Sequence, residues 1–314
     1  MRIEHFEYLS NDKLTKIHGI RWIPEGEIKG ILQISHGMAE YVNRYDEFAS
    51  YLAQKGILVT GNDHLGHGKS ITHKENEGFF SEKNGNENVI EDIRGLQDLT
   101  KREYPNLPYY ILGHSMGSHL LRQYICIYGN TIEGAIYSGA GNMFNVGIKL
   151  SMTVIKGIAK VKGWNYSSEG VDKLAIGGFN KKIKNARTSK DWLSRNEKNV
   201  DEYIKDEKCG FSFTVNAYYN MLKGMDFAFN RKNIKKIPKD LPILMIAGDK
   251  DPVGHHGKDI LAIAKQYKKM GIRQVEYVLY KDDRHEILNE TDRDKVYRDI
   301  YVWLGYQISS IILK

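Results

Sequence analysis

Short apolar runs alternate with amphipathic stretches along this chain, and that rhythm restricts the fold more than any other feature. Runs at 30–35, 57–60, 109–112, 134–137, 243–246 and 275–280 read as strands. Between them, 45–54, 88–103, 116–128 and 259–270 carry apolar residues at helical spacing, as in Val89, Ile90, Ile93, Leu96 and Leu99. A repeated strand, helix, strand order calls for a parallel sheet with helices on both faces, because parallel neighbours need a long crossover. Two further runs, 4–8 and 16–22, read as paired edge strands ahead of the series. The expected class is α/β, with eight strands in a mostly parallel sheet.

The rhythm breaks after Ser138 and resumes only at Ile243. A gap of roughly a hundred residues is too long for a structureless loop in a compact domain. Residues 146–161 place Ile148, Met152, Ile155 and Ala159 near helical spacing; 188–203 and 213–225 also read as helices, and the region is rich in aromatics. The chain therefore divides into a core from 1–140 and 236–314 with a helical cap, 141–235, inserted between. A last helix begins near Asp292, capped by Thr291 with Asp294 three residues on.

Composition removes several alternatives. An apolar share of 41% excludes disordered and fibrous classes, and no period of 20 to 50 residues repeats. Two cysteines, Cys126 and Cys209, cannot make a disulfide framework, which favours a reducing compartment. The first ten residues mix charge with apolar side chains and do not form a secretory leader, so a cytoplasmic location is expected. The charge-free run 104–121 holds two prolines and two histidines and reads as buried, not as an anchor. The net charge of +7 comes with basic residues concentrated in 149–190 and 231–239, which read as a solvated basic face without the patterning of a nucleic-acid binder, so no nucleic-acid partner is expected.

Gly113-His114-Ser115-Met116-Gly117 matches Gly-x-Ser-x-Gly, in which serine sits on a strained turn between strand and helix. A bare match arises by chance, but here an apolar strand precedes it and a helical segment follows. Ser115 is the candidate nucleophile. A serine hydroxyl needs a base to take its proton and a carboxylate to orient that base. In this architecture the order is serine, acid, histidine, each after a strand. Strand 243–246 runs into Gly248-Asp249-Lys250-Asp251-Pro252, and strand 275–280 into Asp282-Asp283-Arg284-His285. His285 is the candidate base. Asp251 is preferred over Asp249 as its partner because it stands past the strand end, while Asp249 suits a turn cap; Asp282 and Asp283 are the less favoured rivals. For the oxyanion, the Met116 N–H follows the nucleophile and the Met38 N–H lies in the loop after strand 30–35, where Gly37 lets the backbone turn inward.

With these residues in place the sequence resembles the α/β-hydrolases of the monoacylglycerol lipase, bacterial lysophospholipase-like and serine aminopeptidase-like group. The likeness runs through His36-Gly37-Met38-Ala39-Glu40, Asp63-His64-Leu65-Gly66-His67-Gly68, Gly113–Gly117, Gly248–Asp251 and Arg284-His285-Glu286. It implies Ser115, Asp251 and His285 as a triad and Met38 and Met116 as oxyanion donors, with His36, Gly37, Gly113, His114 and Gly117 supporting them. In the cap, 206–214 is similar to a segment of bacterial members.

Asp63, His64 and His67 invite a metal reading, but the resemblance places them in a structural loop. Gly68-Lys69-Ser70 lacks the first glycine of a phosphate loop, and Gly139-Ala140-Gly141 the third glycine of a dinucleotide fingerprint. No metal and no cofactor are expected. The expected activity is hydrolysis of a carboxylic ester through an acyl-enzyme, with a monoacylglycerol or lysophospholipid as substrate and transient contact of the cap with a lipid surface. Other readings are a short-chain or aromatic esterase, a thioesterase, an amidase that holds a substrate ammonium on cap carboxylates, and a ligand-binding receptor of the same fold. The cap's apolar residues serve equally as its own core or as an acyl pocket.

Overall fold

In the computed structural model, which describes residues 1–143 and 145–312, one sheet of eight strands carries the chain. The strands are β1 (Arg2–Leu9), β2 (Lys16–Ile23), β3 (Gly30–Ser35), β4 (Ile57–Asn62), β5 (Tyr109–His114), β6 (Gly134–Ser138), β7 (Ile243–Gly248) and β8 (Val275–Tyr280). Their order is β1-β2-β4-β3-β5-β6-β7-β8. β1 and β2 are antiparallel, β2 joins β4 antiparallel, and every later pairing is parallel. The expectation of two edge strands at the start of the chain is corrected here: of the two, only β1 lies at an edge of the sheet. Residues 17–23 of β2 are all buried, which an edge strand does not achieve.

The central strands β3 to β7 are buried along their whole length, as strands covered on both faces must be. On one face lie α1 (Asp46–Ala53) and α10 (Arg293–Ile312), whose Phe48, Leu52, Val296 and Ile300 pack with Leu32, Ile34 and Leu112. On the other lie α2 (Gly85–Glu103), α3 (Met116–Tyr128) and α9 (Lys258–Lys269), with Ile90, Leu120 and Ile260 against Ile31, Ile111 and Tyr137.

The insertion between β6 and β7 contains α4 (Asn145–Lys162), α5 (Glu169–Ala175), α6 (Glu197–Lys205), α7 (Val215–Phe229) and the short α8 (Arg231–Ile234). α7 packs on α2, α3 and α4 and so seats the insertion over the sheet. The helix expected over 188–203 is shorter than the periodicity suggests. Asn196 caps α6 by accepting from Asn199 N, and the chain before it is irregular because its backbone bonds to another loop. Among the described residues no helix is long and apolar enough to cross a membrane.

Candidate active site

Ser115 stands between β5 and α3 with φ 51° and ψ −116°, a conformation that L-residues adopt only at a cost of about 1–3 kcal/mol. Close packing leaves this turn no alternative. A Cβ on Gly117 would lie 1.9 Å from Ser35 O, and one on Gly113 2.3 Å from Gly117 O. The motif glycines therefore serve approach: α3 starts against the end of β3 only because neither carries a side chain. As the first residue of α3, Met116 has an N–H without a partner one turn back, directed from the positive end of the helix dipole.

The loop after β3 comes to the same place. A Cβ on Gly37 would lie 3.3 Å from Ser115 Cβ. Gly37 N donates to Glu40 Oε1 at 2.5 Å and Ala39 N to His67 Nε2 at 3.3 Å, so the N–H groups on either side of Met38 are occupied. Ala39 itself has φ 52°, a second strained residue that no local sequence signal announced. The histidines of the Asp63–Ser70 loop are committed to this framework. His67 Nδ1 donates to Leu65 O, and His36 Nε2 accepts from His64 N while its Nδ1 donates to Gly37 O. Asp63 accepts from Val42 N, Lys69 N and His18 Nδ1.

Asp251 and His285 come from the ends of β7 and β8. His285 Nδ1 donates to Asp251 Oδ2 at 3.0 Å, and both side chains are buried. Asp251 Oδ1 is held by Val253 N at 2.8 Å. That tautomer leaves Nε2 as the acceptor. Of the rival carboxylates, Asp249 accepts from Asp282 N as a turn brace, and Asp283 faces Arg195. Burial works against a charged His285, yet Asp251, Glu286 and Glu40 outweigh it and raise its pKa above 6.5. His114, its ring 4.8 Å from that of His285, is pushed down to about 4 by burial and by His285, and stays neutral.

Ser115, Met38, Met116 and His285 all line one cavity of about 480 Å³ between the sheet and the insertion. Leu150, Val154, Val171, Met221 and Met225 line it from the insertion side. Chain segments remote in sequence thus line one cavity with Ser115.

Two ionic clusters here escaped the sequence reading. Arg44 donates to Glu40 and, through both terminal nitrogens, to Glu286. Arg195, from the insertion, contacts Asp283, Glu290 and Asp292 in the loop that carries His285. The charged residues were visible; their pairing over such sequence separations carries no local signal.

The model of the family described as serine aminopeptidase, S33, matches residues 26–292. The chain belongs to that family. Among similar proteins, the monoacylglycerol lipase of Mycolicibacterium smegmatis is 27% identical over 303 residues, which is 94% of this chain and 96% of the relative. The mouse monoglyceride lipase is 36% identical over 96 residues, 31% of this chain and 30% of its own. A thermostable carboxyl esterase from Bacillus coagulans, solved in complex with glycerol, superposes with a TM-score of 0.91 at 27% identity, covering 98% of this chain and 99% of the esterase. The S33 match and this superposition agree with the α/β class expected from the strand rhythm and with the α/β-hydrolase fold that the resemblance implies.

Proposed function

We propose that this protein hydrolyses carboxylic esters of glycerol that carry a single fatty acyl chain, with monoacylglycerol as the first substrate to test. The observation that carries this is the shared cavity: Ser115 and His285 face the same largely apolar space, with His285 hydrogen-bonded to Asp251. Ser115 Oγ attacks the ester carbonyl as His285 Nε2 takes its proton; Asp251 holds the ring and stabilises the imidazolium. The Met38 and Met116 N–H groups receive the oxyanion. His285 then protonates the leaving alcohol, and water resolves the acyl-enzyme by the same steps. The apolar wall from the insertion, which serves as the cap, takes the acyl chain. Full-length similarity to a monoacylglycerol lipase and to a carboxyl esterase supports this reading.

The amidase reading needs a carboxylate in the cavity for a substrate ammonium. Among the described residues the acids lining it are Glu40 and Glu286, both already on Arg44. Asp172 accepts from Tyr218 OH, Asp206 from Tyr41 OH, and Asp201 pairs with Arg187. These commitments favour an ester without a free amine.

The cap also suits contact with a lipid surface. α4 exposes Val146, Leu150 and Val154 beside Lys149, Lys156 and Lys160, and Leu150 and Val154 continue into the cavity, giving one apolar path from surface to Ser115. The free thiols Cys126 and Cys209 suit a reducing, cytoplasmic location.

The test is a turnover panel across acyl lengths with Ser115→Ala as blank, and fluorophosphonate labelling mapped by mass spectrometry. Long-acyl glycerol esters are expected to lead, with Ser115 as the labelled residue. Faster cleavage of a proline anilide, or label elsewhere, overturns the reading.

A further inference from the structure

We propose that Lys190 is a specificity residue that receives an anionic head group on the substrate's alcohol, a phosphate ester of the glycerol. This rests on the ester-hydrolase reading above and narrows its substrate class. Lys190 belongs to the irregular stretch before α6 and lines the cavity that contains Ser115 and His285. Burial lowers its pKa from the ordinary lysine value, with Asp172 pulling the other way. Asp172 makes no ion pair with it and accepts instead from Tyr218 OH. Among the described residues no carboxylate pairs with the Lys190 ammonium and no side-chain hydrogen bond uses it. Its one described polar partnership is with the Tyr203 ring, whose centroid lies 5.9 Å from Nζ. The cavity's other charged lining, Glu40 and Glu286, is spoken for by Arg44. A half-desolvated cation without a counter-ion is costly, and a ligand anion offsets that cost with charge-assisted hydrogen bonds.

Its position indicates which part of the substrate bears the charge. A Cβ on Gly210 would lie 3.9 Å from Lys190 Cε, and Gly210 N donates to Ala39 O, next to the Met38 oxyanion donor. Tyr203 OH donates to the same Ala39 oxygen. Lys190 therefore stands beside the oxyanion loop, whereas the aliphatic wall of Leu150, Val154 and Met221 suits the acyl chain. An anion near Lys190 is carried by the leaving alcohol.

The experiment compares kcat/KM for a monoacylglycerol and for the same monoacylglycerol 3-phosphate, in wild type, Lys190→Met and Lys190→Arg, with glycerol 3-phosphate and inorganic phosphate as competitors. The phosphate-to-neutral ratio is expected to fall about tenfold or more in Lys190→Met, mainly through KM, and to be kept in Lys190→Arg. In wild type it should also decline with ionic strength. A ratio unchanged within about twofold by Lys190→Met overturns the inference while leaving hydrolysis of the neutral ester intact. Inorganic phosphate competing as well as glycerol 3-phosphate makes this a free-phosphate site and overturns the head-group assignment. Wild type that cleaves neither ester defeats the ester-hydrolase reading and this inference with it.

Discussion

Arg44 meets Glu286 through two parallel hydrogen bonds of 2.8 Å each, joining residues 242 apart in the chain. Glu40 takes the same guanidinium at 2.7 Å, and its other oxygen holds Gly37 N and Tyr45 OH. One cation thus ties the loop after β3 to the residue after His285. Arg44→Ala strands two buried carboxylates and should cost about 3–5 kcal/mol, read by urea unfolding. Arg44→Lys keeps the charge without the planar fork and should recover only part of that loss. A loss for Arg44→Ala below about 1 kcal/mol would place this cluster with ordinary surface pairs.

The same carboxylates set the pH dependence. The proposed mechanism needs neutral His285, whose pKa is raised by Asp251, Glu286 and Glu40 despite burial. The acidic limb of kcat/KM should therefore lie above pH 6.5, and Glu286→Gln should move it down. The stability contribution has the opposite sense. A histidine with a raised folded pKa stabilises the fold below its unfolded pKa, and that contribution is lost as pH rises through the folded value. Activity should thus climb through the window in which this stabilisation fades. Profiles of kcat/KM and of urea midpoint from pH 5 to 9 check both senses; an acidic limb below pH 6 refutes the assignment.

The triad candidates were legible because each follows an apolar strand in the order the architecture demands, so position along the chain stood in for position in space. The strands and most helices were legible for a similar reason: burial repeats with a local period, as in α2 with Ile90 and Ile93. The stretch 188–196 was not. Trp192 and Leu193 are spaced like helix residues, yet they bury against the His285 loop: the Trp192 ring lies 5.2 Å from His285, and Leu193 O accepts from Glu286 N. Tertiary bonding there outweighs periodicity, and only the folded chain brings the partners together.

Two glycines separate approach from entropy. Gly117→Ala would drive a methyl group into Ser35 O and His36 O, both backbone, so it should abolish activity and lower the melting temperature sharply. Gly157 lies exposed within α4 with nothing within 4 Å of an added Cβ. Gly157→Ala should stabilise by about 0.5–1 kcal/mol through the unfolded state. Thermal melts of the pair test the contrast. A well-folded, active Gly117→Ala protein would contradict the packing of α3 on β3.

Arg195 ties the insertion to the histidine loop. Its Nη2 contacts Asp283 and Asp292, its Nε lies 3.4 Å from Glu290, and its backbone N donates to Glu290 as well. Neighbouring Arg284 completes the clasp, donating to Asp191 O and Ser194 O. Burial, then Glu290 and Asp292, push the Asp283 carboxyl up to about 7, with Arg195 opposing them. Arg195→Met removes that opposition, so Asp283 should titrate still higher. A carboxyl with a raised folded pKa binds its proton more tightly folded than unfolded, so stability falls as pH rises from the unfolded pKa toward the folded one. The variant should therefore lose more stability relative to wild type at pH 8 than at pH 5, where protonation removes the unpaired charge. Because Asp283 stands two residues before His285, kcat should fall more than KM changes, and Arg195→Lys should restore part of it. An equal stability loss at both pH values, with kcat untouched, would make Arg195 a plain surface contact.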